Sequence, residues 1–319
     1  MTQHLLVTGG AGFIGTHLTE RLLETGDRVT VLDDFNDFYD PRRKRRNVEP
    51  FLERDDYRLV EGDIRDEALV DDLFRDDGFD AVVHLAARAG VRPSLEEPIL
   101  YEDVNCIGTL RLLEAARRHG PRTFVFGSSS SVYGINRKVP FSEDDPVDQP
   151  ISPYATTKRA GELLCFNYHH LYDLRISCLR FFTVYGPAQR PEMAIHKFTQ
   201  LAARGEPIPL YGDGSSRRDY TYIDDIVDGV VAALDLAPDF EIINLGGAET
   251  TRLSDLVAWI AEELAVEPRI EYLADQPGDV PITYADVDKA GRLLGYSPKV
   301  SIREGLKRFV RWYRTEGLD

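Results

Sequence analysis

Tyr154 and Lys158 stand four residues apart, shortly after a run of hydroxyls, Ser128-Ser129-Ser130-Ser131-Val132-Tyr133-Gly134. On a helix, positions i and i+4 share a face, so a phenol and an ammonium can meet there. A nearby ammonium favours the phenolate and draws a tyrosine down from its ordinary pKa of about 10. A serine at an adjacent strand end would hold a substrate oxygen beside that phenol. Together these groups would move a proton from and to an alcohol that is being oxidised. The spacing alone also fits a surface pair, so its meaning depends on the elements that carry it.

Those elements have a clear rhythm up to about residue 182. Short apolar strands are expected at His4–Thr8, Arg28–Asp33, Arg58–Glu61, Ala81–Leu85, Arg122–Gly127 and Arg175–Phe181. Helical periods fall between them, at Gly12–Glu24, Leu100–Arg118 and Pro153–Leu171. This alternation predicts an α/β fold, a Rossmann-type doubly wound parallel sheet covered on both faces. Pro187, Pro191, Pro207 and Pro209 then break the rhythm. A strand at Asp219–Tyr222, a helix at Asp224–Leu236 and a strand at Phe240–Leu245 read as a return to the sheet. The expected division is one domain from 1–182 and 219–247, and a smaller, discontinuous C-terminal one from 183–218 and 248–319. The second would close over the sheet edge where open α/β sheets bind ligands.

The first turn is a dinucleotide fingerprint. Gly9, Gly12 and Gly15, with Phe13 and Ile14, follow the first strand and open the first helix. Such glycines let a pyrophosphate approach bare N–H groups at a positive helix end. Asp33 ends the second strand, where a carboxylate accepts from ribose hydroxyls and repels a 2′-phosphate, so NAD is the expected cofactor. The run Arg42-Arg43-Lys44-Arg45-Arg46 could serve a 2′-phosphate, but a charged helix face is the preferred reading. Asp63-Ile64 and Leu85-Ala86-Ala87 end the third and fourth strands, where the adenine and ribose edges should lie.

The net charge of −16 argues against nucleic acid and anionic membranes as partners. Cys106, Cys165 and Cys178 form no Cys-x-x-Cys pair, which fits a reducing cytoplasm and suggests neither a zinc site nor a disulfide framework. No metal is expected; His169-His170 read as surface residues. No signal peptide or long apolar span is read from the sequence.

Taken together, Gly9-x-x-Gly12-x-x-Gly15, the serine segment ending in Val132-Tyr133-Gly134, Tyr154-x-x-x-Lys158 and Arg218-Asp219-Tyr220 resemble the extended short-chain dehydrogenase/reductase (NAD-dependent epimerase/dehydratase) family. Within it the chain is most similar to the UDP-glucuronate 4-epimerases. Ala89-Gly90-Val91-Arg92, Arg180 through Pro187, and Gln276-Pro277-Gly278-Asp279-Val280 carry that likeness. The resemblance implies catalytic roles for Ser129, Tyr154 and Lys158. It places Asn105 in the cofactor network, alongside Ser128, Tyr154 and Lys158. Arg218 and Asp279 would hold UDP, and Leu210-Tyr211 would run past the uracil. It also implies a homodimer built on a four-helix bundle.

A uronate substrate raises a particular hazard. Its 4-keto form is a β-keto acid that loses CO₂ when the carboxylate bond aligns with the carbonyl. The resemblance places Ser130, Ser131 and Thr183 to hold that carboxylate, with Arg190 behind them. Decarboxylases generally carry a Glu where Ser131 stands. Arg88, Arg92 and Arg190 could contact substrate or form surface ion pairs. The expected activity is interconversion of UDP-glucuronate and UDP-galacturonate. The alternatives are a UDP-glucose or UDP-N-acetylhexosamine 4-epimerase, next a UDP-glucuronate decarboxylase, and, from another class, an NAD-sensing regulatory protein.

Overall fold

A computed structural model describes residues 2–274 and 280–317. The strands are β1 (His4–Thr8), β2 (Arg28–Asp33), β3 (Tyr57–Glu61), β4 (Ala81–His84), β5 (Thr123–Ser129), β6 (Arg175–Phe181), β7 (Thr183–Tyr185), β8 (Ile208–Tyr211), β9 (Arg217–Arg218), β10 (Tyr220–Tyr222), β11 (Phe240–Leu245), β12 (Thr251–Arg252) and β13 (Ile270–Leu273). The helices are α1 (Phe13–Glu24), α2 (Pro41–Val48), α3 (Glu67–Asp77), α4 (Val91–Glu96), α5 (Pro98–Glu102), α6 (Thr109–His119), α7 (Pro153–Tyr172), α8 (Ala194–Ala203), α9 (Ile223–Leu236), α10 (Leu253–Leu264), α11 (Asp288–Leu294) and α12 (Ile302–Thr315).

Seven strands form one parallel sheet in the order β11-β6-β5-β4-β1-β2-β3. The order reverses between β1 and β4, which opens a crevice at their C-terminal ends. Successive side chains of a strand face opposite ways, and the strands are apolar in both directions. Leu5, Val7, Val31 and Val83 pack towards α1 and α9, while Leu6, Leu32, Val82 and Phe124 pack towards α3, α6 and α7. The first of these cores continues into the C-terminal segment through Leu256, Ile260, Leu306 and Phe309.

Three local differences from the expected elements matter. Strand β5 runs on to Ser129, so Ser128 and Ser129 are sheet residues rather than loop. The helix expected over 100–118 contains a π turn at Asp103–Gly108. There the Thr109 hydroxyl takes the Asn105 carbonyl at 2.6 Å, competing with the regular backbone ladder. Strand β10 pairs with β7 in a separate ladder, and of the returning segment only β11 joins the main sheet.

Asp219 fastens the C-terminal segment to this sheet. Its fully buried carboxylate accepts from Gly247 N at 2.6 Å, Ala285 N at 3.1 Å and the Thr221 hydroxyl at 3.1 Å. Space is so tight that a Cβ on Gly246 or Gly247 would press against it. Burial pushes the Asp219 carboxyl up to about 6 from 3.8, against the pull of those donors. A raised folded-state pKa means the folded protein holds the proton more tightly than the unfolded chain. Ionisation therefore costs stability as pH rises between those two values. Asp219→Asn should gain on the wild type by on the order of 2–3 kcal/mol between about pH 4 and about pH 7. Urea unfolding at both pH values measures this; a constant difference would refute it.

Candidate active site

The crevice between the sheet edge and the segment that follows β6 is one continuous cleft of about 410 Å³. Its floor is the first turn. Gly9, Gly12, Phe13, Ile14 and Gly15 line it at the start of α1. Gly9 has φ +71, and a Cβ there would lie 2.7 Å from Ala86 N; one on Gly15 would lie 2.3 Å from Gly9 O. Only glycine lets these backbones meet and leaves the amide edge bare. Asp33 lines the same cleft, accepting from Ala11 N at 3.1 Å and Phe35 N at 2.9 Å. Asp63, Ile64, Leu85, Ala86 and Ala87 complete that end.

These residues fit a dinucleotide with free ribose hydroxyls. The basic run does not oppose this. Arg42 pairs with Asp40, Arg45 pairs with Glu61, and Lys44 is buried 3.9 Å from Asp33.

At the other end, Tyr154 and Lys158 project from α7 beside Ser128, Ser129, Ser130, Ser131 and Thr183. Ser129 caps a short 3₁₀ turn over Ser130–Tyr133 and accepts from Ser131 N at 3.2 Å and the Ser131 hydroxyl at 2.9 Å. Ser129 and Tyr154 line this same end of the cleft, and Ser129 pulls the phenol's pKa down. So the fold brings the serine and the tyrosine to one end of the cleft.

The lysine departs from expectation. Its Nζ donates to Gly127 O at 2.7 Å and lies over the Phe126 ring at 5.1 Å. Burial pulls the Lys158 ammonium down to about 8. Burial also raises the Tyr154 phenol above its ordinary value, against smaller opposing pulls from Ser129 and Arg190. The expected lowering of the tyrosine by Lys158 is not present in this arrangement. Tyr154 is partly buried by area, and its cleft is walled by Tyr101 and the serine segment, which removes solvation from the anion.

Of the remaining expected residues, Arg190 lines this cleft, whereas Arg88, Asn105, Leu210, Tyr211 and Arg218 are not among its lining residues. Asn105 grips the backbone of Arg88, accepting from its N–H at 2.8 Å and donating to its carbonyl at 3.0 Å. The Arg88 and Arg190 guanidiniums flank the Phe38 ring at 5.9 and 5.7 Å. Arg190 also pairs with Glu192. Leu210 is buried in the core, while the Tyr211 ring meets the Arg92 guanidinium at 4.7 Å. Arg218 sits on β9, donating to Arg217 O. Asp279 lies outside the described residues.

Sequence reasoning missed the support beneath this site. Glu162 is buried on α7 and accepts from the Ser128 hydroxyl at 2.6 Å, from Arg180 at 2.8 and 2.9 Å and from Arg159 at 3.0 Å. Burial works against the carboxylate, but these partners outweigh it and hold Glu162 below its ordinary range. The signal was present: Tyr154, Lys158 and Glu162 are spaced i, i+4, i+8. Also missed were Phe38, Tyr39 and Met193, which line the cleft.

Removing one partner from a buried pair strands the other charge. Glu162→Ala should cost about 3–5 kcal/mol. Glu162→Ala combined with Arg180→Met should cost well under the sum of the single changes. Denaturant unfolding of the set tests this, and additivity within about 0.5 kcal/mol would refute the coupling.

The comparisons agree with this geometry. The NAD dependent epimerase/dehydratase family profile matches residues 5–246. The UDP-glucuronate 4-epimerase of Thermodesulfobacterium geofontis is 44% identical over 310 residues, covering 97% of this chain and 95% of that protein. UDP-glucuronate 4-epimerase 4 of Arabidopsis thaliana is 46% identical over 328 residues, 97% of this chain and 75% of the plant protein. The crystal structure of UDP-glucuronic acid 4-epimerase from Bacillus cereus, in complex with UDP-glucuronic acid and NAD, superposes with a TM-score of 0.92 at 37% identity, covering 98% of this chain and 99% of that one. By sequence over nearly its whole length, the chain belongs to the NAD dependent epimerase/dehydratase family.

Proposed function

We propose that the protein interconverts UDP-glucuronate and UDP-galacturonate by inverting C4 of the sugar. The observation that carries this is the serine segment at the sugar end of the cleft. Ser129 lines the cleft with Tyr154, Ser130, Ser131 and Thr183 add hydroxyls, and no carboxylate stands among residues 128–134. Relatives that share this chain's full length carry the same activity in their names.

NAD, when bound, supplies the hydride acceptor and donor for C4, and its positively charged ring favours an anion nearby. Tyr154 removes the proton of the 4-hydroxyl and later returns it. Ser129 donates to the developing oxyanion, a hydrogen bond that gains most in the transition state. Lys158 holds Gly127 in the floor and contributes its charge to the phenolate once the cleft is filled. The 4-keto sugar turns in the pocket and accepts hydrogen on its other face, so the net reaction is an isomerisation. Ser130, Ser131 and Thr183 hold the carboxylate near the ring plane, away from the carbonyl π system, and so suppress loss of CO₂. Arg88 and Arg190 frame that end through Phe38.

In this reading, residues 1–182 and 219–247 bind NAD. Residues 183–218 and 248–319 bind the nucleotide sugar, with Leu210, Tyr211, Arg218 and Asp279 on UDP. We place the protein in the cytoplasm, a reading supported by its three free cysteines. A homodimer is supported by Ile107 and Leu163, which stand exposed on the π turn and α7 at 44% and 53%. Leu163→Glu should shift the mass in light scattering from dimer to monomer; an unchanged mass removes α7 from the interface.

The decisive experiment incubates the purified protein with UDP-glucuronate and follows the sugar by proton NMR. UDP-galacturonate should appear without UDP-pentose. Tyr154→Phe should retain NAD and lose turnover by at least about 10²-fold. A pentose product would overturn the role of the serines, and faster turnover of neutral UDP-hexoses would overturn the substrate.

A further inference from the structure

Tyr101 is fully buried, ends α5 and takes no part in the chemistry above. Its hydroxyl donates to Ala89 O at 2.7 Å. Its ring stands edge-on to the Tyr154 ring, with centroids 6.3 Å apart at 85°. One turn later on the same helical face, Asn105 holds the carbonyl of Arg88 at 3.0 Å and donates to the Thr157 hydroxyl at 2.9 Å. So Tyr101 and Asn105 grip consecutive carbonyls of the segment after β4. Each also touches α7, at Tyr154 and at Thr157.

Gly90 has φ +99 and turns the chain into α4. Ala86, Ala87, Ala89, Gly90 and Val91 all line the cleft. Burial holds the Tyr101 phenol up at about 12, so it stays a donor at any working pH.

The geometry points to Tyr101 as a positioning residue that locks the wall after β4 and the Tyr154 phenol into one unit. The hydroxyl fixes the wall, and the ring fixes the direction of the phenol. The kinetic part of this inference rests on the proposed epimerase reading; the cofactor part does not.

Two variants separate the hydroxyl from the ring. Tyr101→Phe keeps the ring and loses the bond to Ala89. Tyr101→Leu loses both. Release of bound NAD is followed by exchange with isotope-labelled NAD, and kcat and KM are followed with UDP-glucuronate. Tyr101→Phe should release NAD about fivefold faster and lose kcat/KM mainly through KM, in line with one hydrogen bond. Tyr101→Leu should lower kcat by a further tenfold or so, because the phenol is no longer aimed.

Wild-type NAD release and wild-type KM in a folded Tyr101→Phe, even with a lower melting temperature, would make the hydroxyl merely structural and overturn the inference. A kcat for folded Tyr101→Leu equal to that of Tyr101→Phe would overturn the role of the ring. If Tyr101→Leu does not fold, NAD release by Tyr101→Phe decides. If the wild type does not epimerise UDP-glucuronate, the proposed function fails while NAD release still tests this inference.

Discussion

A single buried carboxylate ties the site together. Glu162 receives bonds from the end of β5 through Ser128, from β6 through Arg180 and from its own helix through Arg159. Those segments carry the serine run, the strand leading to Thr183, and Tyr154 with Lys158. A buried charge is costly unless paired and hydrogen-bonded, so satisfying Glu162 ties these three segments together. The Arg180 guanidinium extends the network over the Tyr133 ring at 4.8 Å, and the Tyr133 hydroxyl donates to Asn244 on β11 at 2.7 Å. The rigid support beneath the serines thus reaches the edge strand of the sheet.

Above this support, the chemistry is set by burial. Tyr154 and Lys158 are each pushed by loss of water towards their neutral forms. A neutral phenol and a weakened ammonium stand ready to respond to charge brought in by a ligand. The lysine's bond to Gly127 O fastens the floor of the site. The same low dielectric strengthens every hydrogen bond that a developing oxyanion would receive.

The C-terminal segment is joined to the sheet by the same device, a buried acid. Asp219 lies between Arg218 on β9 and the β10 ladder, and gathers N–H groups from Gly247 and Ala285. A Cβ on the neighbouring Gly246 or Gly247 would collide with Ala285 or the Tyr220 carbonyl and crowd that carboxylate. The arginine expected to reach UDP is therefore held one residue from the fixed point between the two parts of the chain.

Much of this was written in the sequence. Short, continuously apolar strands alternating with helical stretches dictate a parallel sheet, and glycines at one strand end with Asp33 at the next dictate a dinucleotide crevice. These are local signals: each follows from hydrophobic spacing or from the absence of a Cβ. The i, i+4 spacing likewise put Tyr154 and Lys158 on one face. Tertiary structure decided what local pattern could not. The lysine turned to Gly127 because β5, which carries that carbonyl, packs directly against α7. The phenol's affinity for its proton follows from burial by residues distant in the chain. Glu162 and Tyr101 read as unremarkable residues until the fold buries them, since the cost of an unsatisfied polar group exists only once water has been removed.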